Sequence, residues 1–338
     1  MRILVFVFFL TFSLFAREIT DMSGQKVTVP DNITRVYGSA PPSTYAVYAI
    51  DPSFIVGLNF SPAKGFNEAS GLLDKRFMSL PIVGGLQGGV QGINKESLLS
   101  VRPQIVLAWS NDAAAKMSQK SLDESKIPTV YLDIEKIENI GNGFLFLGDL
   151  LDKKERAAKL AEYAKNVVAS SKKNISTHKG KRPTVYYAEG TDGLATECEE
   201  SSHYEAIRFA GGINPHKCKN RPTGMGLEKV SMEQVMGYNP DIIIAQEKAF
   251  FDSVKTDPKW KNIKAVKNGE IYLVPKVPFN WIDRPPSFMR LLGVQWLQKV
   301  IFKKQSDAEF AKTTKEFYKL FLNVNLSDSS AISLIGGK

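Results

Sequence analysis

A chain of 338 residues, 43% hydrophobic and 23% charged, is long enough for two α/β lobes of about 130 to 150 residues each, and its composition excludes a disordered or fibrous protein. The formal charge of +9, from 44 Lys and Arg against 35 Asp and Glu, is scattered rather than massed on an aromatic-rich stretch, which argues against nucleic acid as a partner. A mild basic excess suits anionic ligands or an anionic membrane surface, although solvated lysines are the commoner explanation.

Met1 and Arg2, an apolar run over residues 3–15 and Ala16 form the pattern of a secretory signal peptide, residues 1–16. About 13 apolar residues are too few to span a bilayer comfortably. No Cys lies nearby to accept a lipid, so the reading is a soluble exported protein starting near Arg17.

The mature chain opens with a predicted hairpin over residues 18–30, turning at Ser23-Gly24. A short strand ending at Val36-Tyr37 leads into the loop 38–43 and a helix over 44–50. Strands follow at 54–58 and 80–83, with a rim loop at 59–65. The cluster Gly84, Gly85, Gly88, Gly89 and Gly92 is no phosphate loop, because it lacks both the Gly-Lys-Ser/Thr signature and a properly placed GxGxxG.

Residues 93–108, INKESLLSVRPQIVLA, are echoed position by position by residues 230–245, VSMEQVMGYNPDIIIA. Each copy has a polar cap, a short helix, a Pro breaker and a buried β-branched strand. Helix, Pro and strand recur widely in α/β proteins; the shared Glu96 and Glu233 are the additional coincidence, with local helix capping as their plain explanation. Between the copies, residues 152–176 carry Ala157, Ala158, Ala161, Ala164, Val167 and Val168 at helical spacing, with no Gly or Pro. That spacing predicts a helix about 36 Å long, with Asp152 and Glu155 as cap and partner. The chain thus divides into an N-terminal lobe (17–151), a connecting helix (152–176), a C-terminal lobe (177–322) and a tail (323–338) that carries no readable signal.

The second lobe opens with a strand and loop at 184–190. Ser201 or Ser202 caps a helix over 204–210, placing His203 in its first turn at the end facing a crevice. Residues 220–226 are rich in turn formers, and residues 267–275 read as a turn and a strand. The loop 278–287 carries Phe279, Trp281 and Arg284, and helices are predicted at 287–302 and 308–322. Two cysteines, Cys198 and Cys218, predict one disulfide in an oxidising compartment, with free thiols or thiolate metal ligands as the alternatives.

No catalytic set assembles: there is no Gly-x-Ser-x-Gly elbow, and His178, His203 and His216 have no HExxH relation. Cys198, Cys218, His203 and His216 match no standard zinc spacing. The crevice loops offer Tyr45, Trp109, Tyr187, Phe279 and Trp281 as flat walls, with Arg284 and His203 as donors. Such a set suits a bulky planar or chelated anion between two lobes, and core packing is the plain alternative for each aromatic.

With a signal peptide, two repeated α/β lobes and one connecting helix, the chain resembles the class III substrate-binding proteins of ABC importers. The likeness is carried by DMSGQKVTVP, INKESLLSVRPQIVLA, YYAEG, EAIRFAGGIN, VSMEQVMGYNPDIIIA and NGEIYLVP, and it spans residues 18–322. It implies two Rossmann-like lobes on a rigid helix, a ligand cleft between them and no enzymatic activity. It also implies a periplasmic monomer delivering its ligand to a permease dimer with its ATPase. Glu96 and Glu233 stand where the family's glutamates meet permease arginines. The implied ligand is a metal chelate, first a ferric siderophore, with haem, cobalamin and nickel or cobalt chelates as alternatives; His203 is a candidate to complete the metal's shell. The other class of reading is an exported thiol oxidoreductase or metal-dependent hydrolase. The absence of a CxxC and of any nucleophile-base grouping speaks against it.

Overall fold

The computed structural model describes residues 16–60, 71–85, 92–109, 122, 125–218, 226–303 and 305–336. Residues 1–15 of the expected signal peptide, 61–65 of the rim loop, Gly88 and Gly89, and 220–225 lie outside these.

β1 (Ala16–Thr20) and β2 (Lys26–Pro30) form the antiparallel hairpin, with Ile19 opposite Val27. β3 (Val36–Gly38), β4 (Ile105–Ala108) and β5 (Thr129–Tyr131) make the first parallel sheet in the order β3-β4-β5. The stretches expected as strands at 54–58 and 80–83 join its edge only through the bridges from Val36 to Ile55 and from Leu58 to Ile82. Phe54 instead closes a 3-10 turn in which the Asp51 carboxylate accepts from the Ser53 amide. β6 (Val185–Ala188), β9 (Ile242–Ala245) and β10 (Ile271–Leu273) form the second parallel sheet, order β10-β9-β6, and β7 (Ala195–Thr196) pairs with β8 (Glu228–Lys229) in a small antiparallel ribbon. Strands buried on both faces account for the unbroken apolar runs IVLA, VYYA and IIIA.

Side chains alternate across each sheet. Val185, Tyr187, Ile242, Ile244, Ile105 and Leu107 point into one core that runs through both halves of the molecule. Tyr186 and Ile243 point the other way into a smaller cluster, as Tyr37 and Val106 do in the first sheet.

The helices, in chain order, are α1 (Pro41–Ile50), α2 (Lys75–Met78), α3 (Lys95–Ser100), α4 (Ile140–Leu150), α5 (Lys154–Ser176), α6 (Glu205–Phe209) and α7 (Met232–Tyr238). α8 (Lys248–Ser253), α9 (Lys264–Lys267), α10 (Arg290–Phe302), α11 (Asp307–Leu322) and α12 (Asp328–Leu334) complete the set. The sequence echo is an architectural repeat. Asn94 caps α3 and Ser231 caps α7, each accepting from the amide three residues on. Both helices end in a left-handed residue before Pro, Arg102 at φ 45° and Asn239 at φ 39°. Gln104 and Asp241 then each accept backbone amides from the neighbouring strand's approach, Thr34 and Arg35 in one case and Thr184 in the other.

α5 connects the halves. Its Ala157, Leu160, Ala161, Ala164 and Val167 face inward against α4. The approach is close enough that a Cβ on Gly148 would lie 2.3 Å from that of Ala157. Arg156 donates to the Ala49 carbonyl at one end; at the other, Ser171 donates to Phe209 and Gln298 donates to Ser171. The expected Asp152 cap is not formed. Asp152 sits at φ 52° in the tight turn between α4 and α5, Lys153 takes the cap position without a side-chain bond, and Glu155 pairs with Lys159 instead. An Asp tolerates that left-handed conformation, which is not the extended backbone of an N-cap residue.

α11 packs back across the molecule: Phe321 stacks on Phe288 and meets Phe144 and Tyr163 edge-on or tilted. The tail, featureless in sequence, forms α12 behind a Ser327 cap and buries Ala331.

Candidate functional site

In an open parallel sheet the ligand crevice lies at the carboxyl ends of the strands. At that end of the second sheet, Glu189 follows β6, Gln246 follows β9, and the loop after β10 carries Asn280, Trp281, Asp283 and Arg284.

These residues form a dense polar cluster. Arg284 Nε donates to Glu189 Oε1 at 2.6 Å, and its Nη2 donates to Glu197, whose other oxygen accepts from Ser201 at 2.7 Å. Both Asp283 oxygens lie within hydrogen-bond reach of His203 Nδ1, at 2.7 and 2.8 Å, and Asp283 Oδ2 is 3.4 Å from Arg284. Glu189, Glu197 and Asp283 are almost fully buried, whereas the His203 and Arg284 side chains keep 24% and 34% of their surface. The cluster thus shows its donors to solvent and hides its acceptors.

Burial pushes the Glu189 carboxyl up to about 7, against the pull of Arg284. Burial also works against the charge of His203, but Asp283 outweighs it and the imidazole titrates above its ordinary value. Arg284 loses by desolvation and gains more from Glu189, Asp283 and Glu197, so its guanidinium stays charged. Among the described residues, His203 Nε2 and Glu189 Oε2 have no hydrogen-bond partner.

The first lobe's rim is a hydrogen-bonded loop cluster. Asn59 donates to the Gly38 and Gly84 carbonyls at 2.8 and 3.2 Å, accepts from Thr44 at 2.8 Å, and is joined by Tyr37 donating to Gly84. Gly38 is required there, since a Cβ would lie 2.4 Å from Thr44 Oγ1.

Of the residues read from sequence as lining the crevice, the two donors Arg284 and His203 come together on Asp283. The aromatics are used differently. Tyr45 stacks on Phe279 with centroids 3.8 Å apart, closing the seam between the lobes and leaving no slot between those rings. Trp281 is fully buried with Nε1 on the Val277 carbonyl, and Tyr187 is fully buried with its hydroxyl on Gln246. Trp109 follows β4 as Gln246 follows β9; it is 7% exposed and its Nε1 has no partner among the described residues. Cys198 and Cys218 form a disulfide, and His216 is held between Tyr238 and Glu228. Among the described residues no group of three or more His, Cys, Asp or Glu side chains is placed to hold a metal ion, and the disulfide takes up both sulfurs of the Cys and His site weighed from sequence. Glu96 and Glu233 are exposed in the first turns of α3 and α7, at the crevice end.

Sequence reasoning missed Glu189, Glu197 and Asp283; Glu189 alone had a legible signal, as the first residue after a buried strand. It also missed an ion pair at the lobe boundary. Arg290 on α10 pairs with Glu205 at 2.8 Å and donates to the Ile134 carbonyl at 2.8 Å, while Glu205 accepts from the Ile137 amide.

Two α/β sheets bridged by one long helix, with a polar cluster at the strand ends of the second, are the frame of a two-lobed binding protein. A sequence profile described as "Periplasmic binding protein" matches residues 86–278, and the chain belongs to this family. A solved ABC transporter solute-binding protein from Sulfurospirillum deleyianum is 37% identical, with a TM-score of 0.87, over 94% of this chain and 98% of that one. The molybdate-binding protein MolA of Haemophilus influenzae is 26% identical over 95% of both chains. The haem-uptake protein IsdE of Staphylococcus aureus is 26% identical over 55% of this chain and 64% of its own. Among the described residues, no helix is long and apolar enough to cross a membrane.

Proposed function

We propose that the chain is the periplasmic capture component of an ABC importer, exported by its signal peptide, and that it binds a metal chelate of the ferric siderophore type between its lobes. As a monomer it delivers that cargo to a permease dimer and its ATPase, docking through Glu96 and Glu233. The observation that carries the ligand class is the pairing of His203 with Asp283. A metal-ligating imidazole characteristically gives one nitrogen to a carboxylate and turns the other to the metal, and His203 has Nδ1 on Asp283 and leaves Nε2 without a protein partner among the described residues, in a side chain that keeps 24% of its surface. The three buried carboxylates fix the positions of Arg284 and His203, and these two donors are what the cluster turns to solvent, where they suit the anionic donor atoms of a chelate.

Chelate and macrocycle separate on shape. The contact between Tyr45 and Phe279 favours a compact chelate over haem or a corrinoid. A free oxyanion is the second reading. It is favoured by the partly exposed donors Arg284 and His203, and by the likeness to a protein named for molybdate. Tryptophan-fluorescence titration with ferric siderophores, nickel and cobalt chelates, haem, cobalamin and molybdate distinguishes these ligands. The proposal expects saturable binding of a chelate and a loss of roughly 10- to 100-fold in His203→Ala. Binding of molybdate alone, indifferent to His203, contradicts it.

A further inference from the structure

α3 and α7 are two copies of one unit, so positions exposed in both copies are free to diverge unless something outside the fold constrains them. Five such pairs exist among the described residues. Asn94 and Ser231 are explained as helix caps. Ser100 against Gly237, and Arg102 against Asn239, have lost their chemical likeness. The two that keep it are Glu96 with Glu233 and, one turn further along the same face, Leu99 with Met236. Leu99 is 47% exposed and Met236 is 50% exposed. Neither is needed to seat its helix, because Leu98 and Val235 are the residues buried beneath.

A single exposed apolar residue needs no explanation. Two at the same repeat position, each three residues after an exposed glutamate, are a paired surface. We propose that Leu99 and Met236 are the apolar half of a two-point docking surface, which deepens the permease contact proposed above and rests on that reading. The partner is the membrane permease dimer, each protomer presenting a cation beside an apolar depression. The internal repeat is what matches a two-fold partner: one carboxylate and one large apolar side chain per lobe, in the same order along the same helix. The charges steer the encounter and fade with salt, whereas apolar burial does not. The pair therefore predicts a complex that holds at high ionic strength.

The test uses the full chain and its importer reconstituted in lipid discs, reading the binding-protein concentration that half-maximally stimulates ATP hydrolysis at low and high salt. In Leu99→Ser with Met236→Ser, that concentration should rise at both salts, by about 5- to 10-fold for each side chain. Ligand affinity and thermal midpoint should stay at the wild-type value. Exchanging the two residues, Leu99→Met with Met236→Leu, should restore stimulation. Glu96→Lys with Glu233→Lys should instead lose stimulation most strongly at low salt. Wild-type stimulation by the serine pair overturns the inference while leaving the binding-protein reading intact. Loss of self-association in the serine pair, seen by sedimentation of the wild type as a dimer, overturns it in favour of a second copy of the chain. Failure of the wild type itself to stimulate the importer contradicts the underlying reading and the inference together.

Discussion

Arg290→Met withdraws the guanidinium that Glu205 faces at the lobe boundary. The two side chains are 3% and 12% exposed, so the loss leaves a buried carboxylate and an unpaired Ile134 carbonyl. Breaking such a buried pair costs about 3–5 kcal/mol. The lower end applies here, because Glu205 keeps the Ile137 amide. The cost depends on pH with a definite sign. Burial already raises the Glu205 pKa against the pull of Arg290, so the folded state holds a proton more tightly than the unfolded chain. Stability from this group is therefore present at low pH and falls as pH rises through its raised pKa. Removing Arg290 raises that pKa further, so the gap between variant and wild type should be small near pH 5 and reach about 3 kcal/mol near pH 8. Urea unfolding at the two pH values measures it, and adding Glu205→Gln should recover most of the loss. An equal loss at both pH values, or one below about 1 kcal/mol, would show that the pair does not hold the boundary as described.

Gly148→Ala places a Cβ at 2.3 Å from Ala157 and should destabilise the protein by about 1–3 kcal/mol in chemical unfolding, since α4 and α5 have to part to admit it. Glu189→Gln removes a carboxyl whose pKa is raised by burial to about 7, so it should leave the thermal midpoint unchanged near pH 4.5 and raise it by a few degrees at pH 8. Retention of Glu197 and Asp283 around Arg284 keeps the variant folded. The α5 strut and the return of α11 predict rocking rather than wide swinging of the lobes. Small-angle scattering should show little compaction on ligand binding, and a large one would contradict the rigid connection.

What was legible in the sequence followed periodicity. The runs IVLA, VYYA and IIIA read as buried strands because parallel sheets covered on both faces leave no polar positions. The repeat was visible because its cap, breaker and strand are local features. The site was less visible because it is assembled by loops. Glu197, Glu189, Asp283 and Arg284 come from three segments, and no spacing rule brings them together. Tyr45 and Phe279 were read as crevice walls by position, but residue type does not say that two rings 234 residues apart in sequence will stack on each other. Asp152 misled for a local reason: a carboxylate before an apolar run looks like a cap whether or not the backbone there is extended. The α12 helix was missed because Ser329, Ser330 and Ser333 lie within its seven residues and obscure the pattern, although Ser327 was a readable cap.

The central claim is that His203, oriented by Asp283, meets the metal of a bound chelate. Visible-absorption titration of a ferric chelate with one open coordination position, into wild type and His203→Ala, tests it most directly. The account predicts a saturable 1:1 shift of the chelate's charge-transfer band in the wild type and its loss in the variant. The same shift in both proteins, or no shift in either, would contradict it.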